Sequence, residues 1–246
     1  MAIFNITDEK LKLVEEKTIS LEKDIQSLTE ENMEMVFGLQ FISSEFALHD
    51  FRIDTLGFDK ESSSFVIIEY KRDKNFSVID QGYAYLSLML NNKSDFILEY
   101  NEKIDKSLRK DDVDWSQSRV LFLAHSFTTY QRNAINFKDL PIELWEVKTF
   151  DNSTILYNQL LSADSKESIK TISKNKTIES VSNEVKVYTF DDHFEGVSEK
   201  TKELFLAFKE KVLALGDNIE ERVKKNYVSY RTKQGFVFAK IQQNKI

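Results

Sequence analysis

Apolar residues recur along this chain with two periods, and the switches between them lay out its elements. Phe65-Val66-Ile67-Ile68 is a β-branched apolar run bounded by polar residues, and residues 52–58 before it end in Asp59-Lys60-Glu61-Ser62, so together they predict a hairpin. Residues 41–48 predict a strand ahead of that hairpin, and 119–125, 142–150 and 154–160 predict three after it, the last two set off by Pro141 and Asp151-Asn152-Ser153. Helical spacing predicts helices over 10–28, over 29–39 with Thr29 as its cap, and over 78–90, 95–103 and 128–137. Strands interleaved with helices predict an α/β fold, a mixed sheet core flanked by helices.

The pattern changes past residue 160. Residues 161–186 are rich in Ser, Lys, Glu, Asn and Thr and poor in aromatics, which predicts a polar linker between a first domain over 1–160 and a second over 187–246. In that second part an amphipathic helix is expected over 197–215, ended by Gly216, and a strand over 236–241 after a turn at Gly235. A small α+β domain results.

Strand alternation turns the hairpin into a chemical expectation. Side chains two apart share a face, so Glu69 and Lys71 point one way with Phe65 and Ile67 behind them, while Val66, Ile68 and Tyr70 point the other. With Asp54 on the preceding strand, the order is D, then E-x-K. Two carboxylates would hold a hard cation such as Mg²⁺, and the lysine would orient or deprotonate a water or neutralise charge on a phosphate.

These residues carry a resemblance. Asp54, the apolar run, Glu69-Tyr70-Lys71-Arg72 and Gln81-Gly82-Tyr83-Ala84-Tyr85 resemble the PD-(D/E)xK nuclease superfamily, including the Q-x-x-x-Y element of its RecB-like branch. Glu22-Lys23-Asp24-Ile25-Gln26 resembles the opening helix of NucS-type mismatch endonucleases, and Arg52 resembles the arginine of their G-R-(I/A)-D. Ile53 stands where the motif is named for a proline. The resemblance implies a restriction-endonuclease-like core and Mg²⁺- or Mn²⁺-dependent hydrolysis of DNA. Asp54 and Glu69 would be metal ligands, Glu22 an auxiliary carboxylate, Lys71 the catalytic lysine and Gln81 a positioning residue. Arg52 and Arg72 would contact phosphate, and Tyr85 would pack. The segments RIDTLG, VIIEYKR and SVIDQGYAYL are also similar to an uncharacterised two-domain bacterial group, some labelled predicted transport proteins, in which the chain continues past the equivalent of Ile246.

Composition refines this picture. The formal charge of −7 opposes a polyanion, but it is uneven: 18 basic against 28 acidic residues over 1–160, 16 against 13 over 161–246. Over 219–246 seven basic and two acidic residues interleave with Tyr227, Tyr230, Phe236 and Phe238, a pattern compatible with nucleic acid but more simply a core strand. With no cysteine and no basic-then-apolar leader, a cytoplasmic protein is expected, and no apolar stretch is long enough for the transport label. His49, His125 and His193 lack ligand spacing, Asp191-Asp192-His193 reads as a solvated loop, and Trp115 and Trp145 as core or interface anchors. The rival reading is a noncatalytic scaffold on the same fold, binding nucleic acid or, through the C-terminal part, a protein; an oligomer is compatible with either.

Overall fold

A tight turn at Asp8 and Glu9 decides the start of the chain. In Lys10-Leu11-Lys12-Leu13-Val14 the leucines fall two apart, and the segment forms β2 (Lys10–Val14) paired antiparallel with β1 (Ile3–Thr7). Asp8 and Glu9 make the two-residue turn at φ 49° and 61°, the left-handed geometry that a tight hairpin demands. The helix predicted over 10–28 therefore shrinks to α1 (Glu22–Glu31), after the short strand β3 (Glu16–Lys17). Thr29 is likewise no cap: it is buried within α1, its hydroxyl 2.9 Å from that of Tyr157. The computed structural model describes residues 2–17, 22–72, 76–161, 167–172, 175–232, 235–243 and 245–246, apart from the side chains of Glu22 and Ile172.

The remaining elements of the first unit follow the predicted order. They are α2 (Met33–Phe37), β4 (Gln40–Leu48), β5 (Phe51–Asp59), β6 (Ser64–Lys71), α3 (Val78–Asn91), α4 (Lys93–Ile104), β7 (Arg119–Ala124), α5 (Thr129–Ala134), β8 (Ile142–Phe150) and β9 (Ile155–Leu160). The sheet runs β3-β8-β7-β6-β5-β4, with β9 also on β8. β6, β7 and β8 are parallel and the other pairs antiparallel, which is the mixed sheet expected. One face packs Phe65, Ile67, Phe122 and Leu144 with Tyr83, Leu86 and Phe96 of α3 and α4; the other packs Val66, Ile68 and Tyr70 with Met33 and Phe37 of α2. Burying both faces explains why β6 and β7 are nearly unbroken apolar runs. Trp115 stacks on Phe65 and Trp145 meets Phe37 edge-on, so both tryptophans are core.

The stretch predicted as a linker behaves differently. It contributes α6 (Ile169–Ile172) and α7 (Lys176–Glu184), the latter capped by Asn175. Ile178, Val181 and Val185 are buried in the same core as α3, and Tyr83 Oη lies 3.3 Å from Ser182 Oγ. A narrow apolar stripe at helical spacing suffices for this, and averaging composition over the segment hides it. The first unit accordingly runs Met1–Val185 and the second Lys186–Ile246.

In the second unit, α8 (Phe190–Phe194) and α9 (Glu199–Leu213) precede a three-stranded antiparallel sheet of β10 (Glu220–Val223), β11 (Val228–Arg231) and β12 (Gly235–Ala239). Phe205 and Val212 of α9 pack on Val228, Tyr230 and Ala239. Asp191-Asp192-His193 is helical rather than a loop, because Thr189 and Asp192 cap one another's backbone N–H groups at its start. α9 stops at Leu213 with Ala214 as its cap, ahead of Gly216. Among the described residues no helix is long and apolar enough to cross a membrane.

Candidate active site

The hairpin ladder ends one step before the predicted acids. β5 and β6 pair from Asp59↔Ser64 to Thr55↔Ile68, and at the next step side chains take over from the ladder. The Tyr70 backbone N–H donates to Asp54 Oδ2 at 2.9 Å, and the Asp54 N–H donates to Glu69 Oε1 at 3.2 Å. Each carboxylate is thereby wedged into the opening between strands. Beyond it β6 remains bonded to β7 as far as Lys71↔Ala124, so the opening has one fixed wall.

Lys71 Nζ donates to Glu69 Oε2 at 3.2 Å and sits 5.7 Å from the centre of the Phe76 ring. Glu69 is 2% exposed, and burial, reinforced by the neighbouring Asp54 charge, raises its pKa from an ordinary 4.5 to about 7 despite Lys71. The expected trio of Asp54, Glu69 and Lys71 is therefore brought together.

The other predicted residues are less uniform. Gln81 lies on α3, and its buried Oε1 has no hydrogen-bond partner. Glu22 opens α1, but its side chain is outside the described residues. Arg52 is exposed and ion-paired to Glu45, so a phosphate would have to compete for it; Arg72 is exposed past the end of β6. His49 and His125 have partners of their own, Asn92 and Glu16, and His193 Nε2 donates to the Lys224 carbonyl.

Three contributors escaped the sequence reading. Tyr85, expected only to pack, hydrogen-bonds Glu69 and lowers its pKa, while its own hydroxyl is pushed up by burial and by Glu69 and Asp54. The one-turn spacing from Gln81 was the available signal. Gln26 Nε2 reaches the Asp54 carbonyl at 2.9 Å and Ser44 Oγ at 3.0 Å, and Glu30 accepts from Gln26 and from Thr55. Their i, i+4 spacing on α1 fixes the main chain of Asp54 from the side opposite α3.

The donor set fits a hard divalent cation. It offers carboxylate oxygens of Asp54 and Glu69 from two adjacent strands, with Glu69 raised by burial and by the Asp54 charge beside it. Among the described residues no three His, Cys, Asp or Glu side chains stand close enough to enclose a metal.

Among solved structures, the chain is similar to a repair endonuclease from Pyrococcus abyssi, with 21% identity over 47% of this chain and 42% of that one and a TM-score of 0.26. It is similar to EndoMS in apo form at 19% identity over 48% and 43% with a TM-score of 0.32, and to Pyrococcus furiosus SfsA in complex with Ca²⁺ at 11% over 62% and 77% with a TM-score of 0.30. The chain thus spans less than half of both endonuclease chains. Residues 190–246 match the family described as a domain of unknown function, DUF5655. Over its whole length the chain is 45% identical to an uncharacterized protein of Haemophilus influenzae, covering 82% of that protein. The chain therefore belongs to the same family as that Haemophilus influenzae protein.

Proposed function

We propose that this protein is a metal-dependent nuclease that hydrolyses phosphodiester bonds of DNA. The observation that carries the reading is the pair Asp54 and Glu69 wedged into one strand opening with Lys71 on Glu69, where burial and the neighbouring Asp54 charge lift Glu69 to about 7. Mg²⁺ or Mn²⁺ held by Asp54 and Glu69, with Glu22 as auxiliary carboxylate, would polarise a phosphoryl oxygen and acidify a water. Lys71 supplies positive charge at the mouth of the opening, where a phosphate gains charge in the transition state. Tyr85 holds Glu69 from the α3 side, and Gln81 offers an amide to position substrate or water. Arg72, and Arg52 once released from Glu45, would contact flanking phosphates.

The rival scaffold reading draws on the lack of a third carboxylate among the described residues. Titration calorimetry with Mg²⁺ and Mn²⁺ separates the two. The nuclease reading expects heat of binding in the wild type that Asp54→Asn removes; Asn keeps the Tyr70 hydrogen bond and loses only the charge. Equal binding in both proteins would place the metal elsewhere.

A further inference from the structure

The second unit's sheet has two unlike faces. Val228, Tyr230, Val237 and Ala239 point into the core under α9, which leaves the alternate positions on the opposite face. There Phe238 stands across from Ser229, and Ser229 across from Arg222; Phe236 follows two residues before Phe238, beside Arg231. The two rings are 45% and 55% exposed. Tyr227 meets Phe238 edge-on at 5.5 Å, which holds that ring in place. Single exposed apolar residues need no explanation, but alternate rings on one strand, backed by a third, form a platform.

Charge decides what such a platform would take. Residues 219–246 carry seven basic and two acidic residues, and both acids are already engaged: Glu220 accepts from Arg222 at 3.2 Å and Glu221 from Lys209 at 2.7 Å. Of the seven cations Arg222 is paired and Lys224 and Arg231 are buried, which leaves exposed Lys240 and Lys245 as the cationic excess at this end of the chain. Flat rings offer base-stacking area and the cations offer phosphate neutralisation. Bases in a duplex have both faces stacked and are closed to such rings.

We infer that the Phe236–Phe238 face of the second unit binds single-stranded nucleic acid by stacking bases on its rings. The surface lies outside the Asp54–Glu69 site and stands whether or not that site cleaves DNA. The test is fluorescence anisotropy of the full chain in EDTA, which reads binding without metal-dependent cleavage, against labelled oligo(dT), oligo(rU) and a duplex of equal length. Both single strands should outcompete the duplex, with the tighter one identifying the natural polymer. Phe236→Ala and Phe238→Ala should each weaken that binding at least about fivefold, the loss of one stacked base, while Phe238→Tyr, which keeps the ring, should retain it. Lys240→Gln should flatten the salt dependence. Tighter binding to duplex, or single-strand affinity indifferent to both alanine variants, would overturn the inference. Absence of binding to all three probes would also overturn it and leave the face to a protein.

Discussion

Asp54 accepts a hydrogen bond from the backbone N–H of Tyr70 at 2.9 Å, at the step where the β5–β6 ladder gives way. A side chain thus occupies the place of a main-chain carbonyl. The backbone donor is satisfied, as a buried N–H must be, and the Asp54 carboxylate is held against β6 beside Glu69. The same exchange in reverse, Asp54 N–H to Glu69 Oε1, locks the second acid. Two like charges are kept together by backbone amides before any cation arrives.

That arrangement makes stability depend on pH. Glu69 has a folded pKa of about 7 against an ordinary 4.5, so between these values the folded state retains a proton that the unfolded chain releases. The contribution is complete below about 4.5 and is lost as pH rises through about 7, amounting to about 3 kcal/mol. Chemical denaturation in EDTA at pH 5 and pH 8 should show the wild type losing most of this relative to Glu69→Gln. Parallel curves for the two proteins would show that Glu69 ionises normally.

Tyr85 tunes the same proton. Its hydroxyl hydrogen-bonds Glu69 and lowers the glutamate's pKa, while its ring rests edge-on to Phe51 at 6.2 Å. Tyr85→Phe should keep the ring contact, raise the pKa of Glu69 further, and move the pH midpoint of Mn²⁺ binding upward, since a cation needs the carboxylate form. An unshifted midpoint would return Tyr85 to a packing role.

Lys71 is placed for chemistry more than for folding. Its ammonium group bonds one Glu69 oxygen, and the side chain remains 20% exposed at the C-terminal end of β6. Lys71→Ala should reduce cleavage by a factor on the order of 10² or more with oligonucleotide affinity little changed. Loss of affinity in parallel with rate would make the lysine a binding residue instead.

Helix α7 belongs to the first unit's core. Ile178, Val181 and Val185 are buried there, each side chain worth roughly 1.5–3 kcal/mol. A chain ending at Leu160 should therefore lose at least about 5 kcal/mol, comparable with the whole stability of a domain. A chain ending at Val185 should unfold cooperatively. Equal urea midpoints for the two would restore 161–186 to a linker.

Legibility in the sequence followed the strength of the local pattern. The apolar run of β6, the helix bearing Gln81 and the parallel β7 and β8 were readable, because burial on both faces or along a full helix leaves an unambiguous signature. The start of the chain was not, since Leu11, Leu13 and Val14 satisfy helix and strand spacing alike until the Asp8-Glu9 turn is known. At the site, alternation correctly put Glu69 and Lys71 on one face. It could not reveal Gln26 holding the Asp54 carbonyl, a contact between helix and strand that only tertiary packing creates.

The most direct measurement is cleavage itself: wild type and Asp54→Asn, purified alike, incubated with single-stranded, duplex, branched and mismatched DNA in Mg²⁺ or Mn²⁺. The expected result is that the wild type cuts at least one substrate, that EDTA stops it, and that Asp54→Asn is slower by a factor on the order of 10² or more. Intact substrates throughout the panel, or equal cutting by the two proteins, would contradict an active site at Asp54 and Glu69.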